Sequence, residues 1–465
     1  MRIEEDFIGR VEVPDKAYYG SFTARAKKNF QLSNFKVHME FIYAVALIKK
    51  CAARANSELG RLEKEKADAI VKAADEVLAG KMDDEFVLDA FQAGAGTPLH
   101  MNVNEVIANR ADELLGGKPG EYGFVHPNNH VNMAQSSNNV VPSAARIAAI
   151  KLREKLVDNA EKLQKSLEEK SEKYKDTMKI GRTHLQDAVP MTYGQTFSAY
   201  ANAVAKDIRM IKETRISEVG VGGTATGTGI TAHPEFRKTI TKYLKEHVDV
   251  EMAENAIEMT ENMNDLLAFS GALRNYAITI SRIANDLRLL ASGPKAGIAE
   301  IILPEVEPGS SIMPGKINPS VPEAVNMLCF QVIGNDQVVM LGAQSGQLEL
   351  NFCAPLVAHN IIQSEELLTN GSAMFLECIE GLKVDEKRTK ENFNKTFGYA
   401  TALNPYLGYK EVSLLVTEAY QKGKSLKDLI LEKGILSKDD LEKIIASAKG
   451  PALVDKEIRI KREQG

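Results

Sequence analysis

The amino-acid sequence predicts a mainly helical protein, and three features carry that prediction. Residues 151–178 contain no glycine or proline, and their leucines recur at spacings of four and seven residues, which is typical of a long bundle helix. Residues 261–292 are apolar on all sides of a helix rather than on one face, as expected inside a bundle or an oligomer. Patterns typical of strands, in which apolar and polar residues alternate, are scarce.

The helices are expected in the following order along the chain. Residues 61–81 place apolar side chains at helical spacing and put Gly80 near the end, where a left-handed cap is favoured. The long helices at 151–178 and 261–292 follow, and the second would be about 45 Å long. A further helix is predicted to begin within residues 319–322, since proline is tolerated in a first helical turn.

The chain length and the C-terminal pattern indicate several domains. A chain of 465 residues suggests about three domains at about 150 residues each. After about residue 390 the predicted helices become short, and Ser437 is placed to cap one of them. These short helices predict a small C-terminal domain, and residues 455–465 are expected to form a solvated end.

Composition excludes several classes of partner. The 58 basic and 63 acidic residues give a net charge of −5, which indicates neither a nucleic-acid nor a membrane partner. The four cysteines are far apart, with no CxxC pair and no secretory leader, so we expect buried thiols in a cytoplasmic protein. The most apolar run is interrupted by Arg282, Asp286 and Arg288, so no membrane span is expected.

Four polar segments interrupt the helical pattern. They are rich in Ser, Thr and Asn, contain histidines and one lysine, and have few carboxylates. Hydroxyl, amide and backbone N–H donors together with a lysine suit an anionic ligand such as a carboxylate. Any one segment alone could simply cap or turn into the next helix. The segments are GAGTPLHMNVNE (94–105), HPNNHVNMAQSSNN (126–139), GRTHLQDAVP (181–190) and GSSIMPGKINP (309–319).

Other chemistries fit these segments less well. The pair Ser310–Ser311 lacks the GxSxG turn of a serine hydrolase. His126 and His130 are four residues apart but have no HExxH context and no third ligand nearby, so no metal site is predicted. The glycine-rich segment 219–229 lacks a GK[ST] sequence and a βαβ setting, which favours a turned connection between helices over a nucleotide site.

The segment GSSIMPGKINP closely resembles the signature loop of the fumarase/aspartase superfamily. GRTHLQDAVP, GAGT with MNVNEVIANR, VNMAQSSN and GGTATGTG resemble the other blocks of that superfamily, in the expected order. The resemblance covers essentially the whole chain. It implies an all-α fold with an N-terminal helical domain at 1–135, a central five-helix bundle at 136–390 that carries a lid at 309–319, and a small C-terminal helical domain at 391–465.

The resemblance also implies an assembly and a reaction. The central helices would form the twenty-helix core of a homotetramer, with each active site built from three subunits. Family members reversibly eliminate an amino or hydroxyl group from a succinyl substrate to give fumarate, through an enediolate intermediate that pre-placed donors must stabilise. No cofactor is implied by these motifs.

Matched positions imply a role for each site residue. Ser310 would be the general base, with its alkoxide stabilised by N–H groups of its own loop. His184 and Asn138 would face the leaving group, and Glu323 would orient His184. The remaining residues would bind the two substrate carboxylates: Thr97, Ser136, Ser137 and Ser311 hold the one that becomes the enediolate, and Thr183, Lys316 and Asn318 hold the other.

Within the family the sequence points in two directions. Five stretches resemble the ammonia-lyases that act on L-aspartate: RIEEDFIG, AYYG, NPSVPE, GQLELN and LNPYLGY. Elimination of ammonia from L-aspartate is therefore the favoured activity. VHPNN and QSSN resemble the class II fumarases, so elimination of water from malate is the alternative. Asn139 replaces the usual aspartate after QS[ST]N, and Pro98-Leu99-His100 replaces the usual small polar residues and asparagine. These departures keep open an altered substrate or a lowered activity. A catalytically silent helical scaffold is a further alternative, against which the intact Ser310, Lys316, Asn318 and His184 argue.

Overall fold

Helices dominate the computed structural model, which describes residues 1–451 and 454–460, and this confirms the predicted all-α class. The α-helices are α1 (Ser21–Asn29), α2 (Met39–Glu58), α3 (Lys64–Leu78), α4 (Thr97–Leu114), α5 (Ser137–Lys173), α6 (Tyr193–Glu213), α7 (Phe236–Leu244), α8 (Glu258–Glu261), α9 (Asn264–Leu290), α10 (Ser320–Ala343), α11 (Ala354–Gly381), α12 (Glu386–Lys395), α13 (Asn404–Leu407), α14 (Tyr409–Lys422), α15 (Leu426–Glu432) and α16 (Lys438–Ser447).

The strands of the described residues form small two-stranded sheets. Strands β1 (Arg2–Asp6) and β2 (Gly9–Val13) pair antiparallel, as do β3 (Met178–Thr183) with β4 (Gln186–Thr192) and β7 (Ile301–Ile302) with β8 (Lys383–Val384), whereas β5 (Glu218–Val219) and β6 (Glu251–Met252) pair parallel. The β3–β4 hairpin corrects the sequence interpretation, which treated 181–190 as a loop. Its alternation is short and interrupted by Gly181 and Pro190, which conceals the strand signal.

The described residues form two compact units. The first contains Met1–Asp158, Asp207–Ile278 and Leu328–Gly371, and the second contains Asn159–Lys206, Thr279–Met327 and the described residues from Ser372 onward. The division into three domains at 1–135, 136–390 and 391–465 stays a prediction.

The predicted helices are present, with shifted ends. Helix α3 ends in a left-handed Gly80 with φ of 73°, and Gly80 and Lys81 donate backbone hydrogen bonds to Val77 and Glu76, which closes the helix as predicted. Helix α5 begins at Ser137, well before residue 151, and continues through Pro142. The segment 94–105, interpreted as a loop, lies largely in the first turns of α4.

The C-terminal part of the second unit has its own apolar core. Buried side chains of α12 and α14–α16 pack together with Ile180 of β3; they include Phe393, Leu415, Leu429 and Leu441. Ser437 accepts a hydrogen bond from the Asp440 N–H at 3.1 Å, which confirms the predicted cap. The last residues of the predicted solvated end, 461–465, lie outside the described residues.

Helix α10 starts at Ser320 as predicted and carries exposed apolar side chains. Phe330 is 61% exposed and Leu341 53% exposed. Within the part of the chain that the structure describes, α10 is the one helix that is long and apolar enough, by length and composition, to cross a membrane. In this chain 39% of that stretch is buried.

A carboxyl group without a partner lies in the interior of the first unit. Glu365 of α11 is fully buried, and neither of its oxygens has a hydrogen-bond partner among the described residues. Burial raises the pKa of Glu365 well above its usual value, and the charge of Arg153 only partly opposes this. Since the folded state holds the proton more tightly than the unfolded chain, ionisation of Glu365 opposes folding.

We expect Glu365→Gln to stabilise the protein at neutral and alkaline pH. In the wild type the contribution of Glu365 is fully present below the unfolded-state pKa, and each pH unit above it costs up to about 1.4 kcal/mol until the folded-state pKa is reached. Thermal unfolding from pH 5 to 9 should therefore show a flatter profile for the variant. The control is Glu366→Gln, since Glu366 is half-exposed and pairs with His38 at 3.3 Å. Parallel profiles for wild type and Glu365→Gln would contradict this account.

Candidate active site

Two helices of the first unit begin side by side and bring predicted site residues together. Thr97 is the first residue of α4 and Ser137 the first residue of α5, and their hydroxyl oxygens are 2.9 Å apart. Ser136 accepts a hydrogen bond from the Asn138 N–H at 3.2 Å and so caps α5. The free N–H groups and dipoles at helix N-termini favour an anion. The arrangement is therefore suited to a carboxylate.

The glycine-rich segment 219–229 lies against the start of α5. Asn138 donates its side-chain amide to the Ala225 carbonyl at 2.7 Å, and the Ser143 hydroxyl accepts from the Gly220 N–H at 3.0 Å. The segment connects α6 and α7 through turns, in agreement with the predicted turned connection. It thus supports the helix end that carries Ser137 and Asn138.

Asn139 also contacts this segment. Its fully buried amide donates a hydrogen bond to the Thr224 carbonyl, a bond that an ionised aspartate could not make. Thr224 has a left-handed backbone with φ of 57°, which is costly for a β-branched residue. The amide at 139 therefore helps to hold a strained turn beside the site.

His100, the second departure from the family pattern, faces a buried lysine. His100 lies one turn after Thr97 on α4, and its Nε2 is 2.5 Å from the Lys49 Nζ of α2. Both side chains are almost completely buried. No sequence motif singled out Lys49; the only signal was a lysine within the apolar run of α2.

The second unit presents Thr183 and His184 on the β3–β4 hairpin. His184 and Leu185 form its two-residue turn with φ of 55° and 60°. Such turns favour glycine and asparagine, because two left-handed residues are costly with other side chains. Thr183 and His184 are exposed at this turn. Strain of this kind is typical of functional positions.

A buried ion pair anchors the hairpin inside the second unit. Arg182 Nη2 is 2.6 Å from Glu300 Oε1, and Tyr193 and Asn392 donate to the same carboxylate at 2.7 and 3.0 Å. Burial alone would raise the pKa of Glu300, but these three hydrogen bonds outweigh it and hold the pKa below its usual value. No motif or spacing in the sequence indicates that Arg182 and Glu300 pair.

The segment 309–319 is an irregular loop, as predicted, and its own hydrogen bonds close it. The Gly309 N–H donates to the Lys316 carbonyl at 2.7 Å, and the Asn318 amide donates to the Gly309 carbonyl at 2.8 Å. A Cβ at position 309 would lie 2.7 Å from the Lys316 oxygen, so this close approach requires glycine. Ser311 and Lys316 are exposed on the loop.

The Ser310 hydroxyl receives two backbone hydrogen bonds from its own loop. The N–H groups of Ile312 and Met313 point at Ser310 Oγ at 3.2 and 3.0 Å. These donors shape a turn, and they also stabilise negative charge on that oxygen. The expected stabilisation of an alkoxide by loop N–H groups thus has a geometric basis.

Glu323 and the histidines have other partners in this chain. Glu323, in the first turn of α10, lies 4.0 Å from Arg288 Nη2, and among the described residues no hydrogen bond joins it to His184. Its proposed orientation of His184 stays a prediction.

His126 accepts N–H bonds from Asn128 and Asn129 through Nδ1, and His130 Nδ1 accepts from the His126 N–H. Both of these nitrogens serve the local turn.

Comparison with known proteins identifies the family. A model described as lyase matches residues 9–334, and one described as fumarase C C-terminus matches residues 400–449. The chain belongs to the fumarase/aspartase superfamily. The predicted relationship is therefore confirmed.

Relatives within the superfamily carry two different names at similar identity. The chain is 44% identical over 450 residues to an aspartate ammonia-lyase from Bacillus sp., covering 96% of each chain. It is 43% identical over 451 residues to a fumarate hydratase class II from Wigglesworthia glossinidia brevipalpis, covering 96% of this chain and 97% of that protein. The lyase superfamily is thus established, and overall identity does not choose the substrate.

Solved structures of the superfamily share this fold along nearly the whole chain. A fumarate lyase:delta crystallin from Brucella melitensis, bound to cobalt, matches with a TM-score of 0.93 and 40% identity over 97% of this chain and all of that chain. A class II fumarase from Schistosoma mansoni matches with a TM-score of 0.90 and 36% identity, over 96% of this chain and 98% of that chain.

We expect Arg182→Ala to destabilise the second unit strongly. It leaves the buried Glu300 carboxylate without its cation, a change that typically costs about 3–5 kcal/mol. Denaturant unfolding should show this loss. Arg215→Ala is the matched control, because the Arg215–Glu251 pair is exposed at 68% and 48%, and it should cost less than about 1 kcal/mol. Equal effects of the two substitutions would refute the anchoring role.

Proposed function

We propose that this protein eliminates a leaving group from a succinyl dicarboxylate to give fumarate, and that the preferred substrate is L-aspartate, which releases ammonia. The observation that carries the proposal is the meeting of the α4 and α5 N-termini at Thr97 and Ser137, where two helix ends favour an anion such as a carboxylate. Membership of the lyase superfamily supports the reaction class. The alternative is elimination of water from malate, which the QSSN segment and the relatives named fumarate hydratase favour.

In this proposal two groups of residues bind the two ends of the substrate. The carboxylate that becomes the enediolate is bound by Thr97, Ser136, Ser137 and Ser311. The other substrate carboxylate is bound by Thr183, Lys316 and Asn318. Neutral donors around the first carboxylate stabilise the second negative charge that develops there in the transition state.

The proton and the leaving group take separate routes. Ser310, as an alkoxide stabilised by the N–H groups of Ile312 and Met313, removes the proton from the carbon beside the first carboxylate. The electron pair then spreads into that carboxylate, and its return expels the amino or hydroxyl group from the neighbouring carbon. Asn138 and His184 face the leaving group, and Glu323 orients His184.

The proposed assembly is a homotetramer in which each site takes residues from three subunits. Support comes from α10, whose apolar side chains Phe330, Met340 and Leu341 are 61%, 43% and 53% exposed in a single chain. A helix with this composition is stable in water when neighbouring subunits cover it.

We expect fumarate release from L-aspartate by the purified protein, followed by ultraviolet absorbance, and little release from L-malate. The reverse result would assign the hydratase activity. Silence with both substrates would reject the proposed function and favour a different succinyl substrate or a silent scaffold.

Ser310→Ala should remove nearly all turnover while the oligomer stays intact. The change deletes the proposed base but leaves the Gly309–Lys316 and Asn318–Gly309 hydrogen bonds that close the loop. Steady-state kinetics and size-exclusion chromatography measure the two properties. Appreciable residual turnover would place the base elsewhere.

Light scattering should give about four times the chain mass of 51.0 kDa. Phe330→Glu places a charge on the proposed interface and should produce smaller species, because burying an unpaired charge is costly. Leu414→Glu is the control, since Leu414 of α14 is 57% exposed and is not assigned to the interface. A fully active wild-type monomer would overturn the shared site.

A further inference from the structure

Lys49 is a buried lysine in the middle of α2 that the proposed mechanism does not use. Its side chain is 0% exposed, and no Asp or Glu within the described ranges lies at ion-pair distance from its Nζ. Lysine is rarely buried without a carboxylate, because removing the ammonium from water is costly. A lysine here therefore calls for an explanation.

Three neutral acceptors surround the Lys49 nitrogen. They are His100 Nε2 at 2.5 Å, Gln135 Oε1 at 2.8 Å and Asn132 Oδ1 at 3.1 Å. An ammonium has three N–H donors, so this set matches its full donor capacity. Burial lowers the pKa of Lys49, and burial together with the charge of Lys49 lowers the pKa of His100. His100 is thus neutral, as an acceptor must be.

The three acceptors belong to the two segments that carry the carboxylate-binding hydroxyls. His100 is one helical turn after Thr97 on α4. Gln135 immediately precedes Ser136 and Ser137, and its amide also donates to the Val131 and Met133 carbonyls at 3.0 and 3.1 Å. Lys49 is therefore a bridge between the start of α4 and the chain that leads into α5.

We propose that Lys49 is a positioning residue, which holds Thr97 against Ser136 and Ser137 by binding His100 and Gln135 at the same time. The inference rests on the proposed function, since these hydroxyls bind the carboxylate that becomes the enediolate. Lys49 itself does not touch the substrate. Its role is to fix the separation of two helix ends, of which the 2.9 Å Thr97–Ser137 contact is the result.

This role differs in its consequences from that of an ordinary core residue. Lys49→Met removes the donor shared by His100, Gln135 and Asn132, and a buried acceptor left without a donor typically costs about 1–3 kcal/mol. Some loss of thermal stability is therefore expected, and turnover is measured at a temperature at which the variant is fully folded. Turnover should fall even there, because misplacing the hydroxyls weakens their hold on the charge that develops in the transition state.

The experiment compares Lys49→Met with Lys50→Met in the assembled protein. Lys50 is the next residue of α2, with a side chain 17% exposed and an ion pair to Asp75 at 2.8 Å. We expect Lys49→Met to lower kcat by about tenfold or more and to raise KM by a smaller factor, about threefold. Lys50→Met should change neither. Unchanged kcat in folded Lys49→Met, or a loss of kcat fully explained by a smaller folded fraction at the assay temperature, would overturn the positioning role.

Substitutions at position 100 supply a second, independent readout. His100→Asn keeps an acceptor for Lys49 and should retain kcat within about threefold, whereas His100→Leu leaves an N–H without a partner and should lose about tenfold. Equal activity of the two variants would show that the Lys49 hydrogen bond has no catalytic consequence.

Binding of succinate, an unreactive dicarboxylate, separates failure of this inference from failure of the proposed function. Wild-type protein that turns over neither L-aspartate nor L-malate refutes the proposed function, and failure to bind succinate in calorimetry as well removes the carboxylate site on which this inference rests. If the wild type binds succinate without turnover, the succinate affinities of wild type and variants are compared instead. Lys49→Met should weaken succinate binding at least about threefold, and Lys50→Met should not. Equal affinities would overturn the role of Lys49 alone.

Discussion

The meeting of two helix N-termini is the constraint on which the first unit of this protein depends. Thr97 and Ser137 can be 2.9 Å apart only if α4 and α5 begin at the same place. Gly96 allows this through a left-handed backbone with φ of 72° and by admitting Val141 and Pro355, which would lie 3.0 Å from a Cβ there. Two helix dipoles directed at one point repel each other unless an anion or polar groups lie between them.

The second unit solves a different problem, since its predicted site residues lie on exposed loops. His184 and Leu185 have left-handed backbone conformations at the turn of the β3–β4 hairpin. Arg182 of β3, two residues before His184, pairs with the buried Glu300 and so fixes the hairpin. The loop that carries Ser310 is closed by its own backbone and by Asn318. In both cases contacts within the second unit fix the backbone of the exposed segment. Exposure to solvent therefore does not leave these segments without a defined conformation.

The sequence predicts the helices and the polar segments well, because both depend on local patterns. Helical spacing and capping residues indicate α3, α10 and α16, and the glycines and prolines of 309–319 exclude regular structure. The start of α5 is missed because Pro142 resembles a helix break, yet α5 continues through it although the proline lies beyond the first turn and has no N–H to donate. Lys49 and Glu300 are missed for another reason: their partners are distant in sequence, so no spacing identifies them.

The two departures from the family pattern gain a physical meaning together. Asn139 and His100 are both neutral, and each makes a contact that depends on this: the Asn139 amide donates to a carbonyl, and neutral His100 accepts from Lys49. A carboxylate at 139 would repel the Thr224 carbonyl, and a charged imidazole at 100 would repel the ammonium. The two segments that carry Thr97 and Ser137 thus each make a buried contact that requires a neutral side chain. In the proposed function, neutral side chains at 100 and 139 add no carboxylate of their own to the one that the substrate brings.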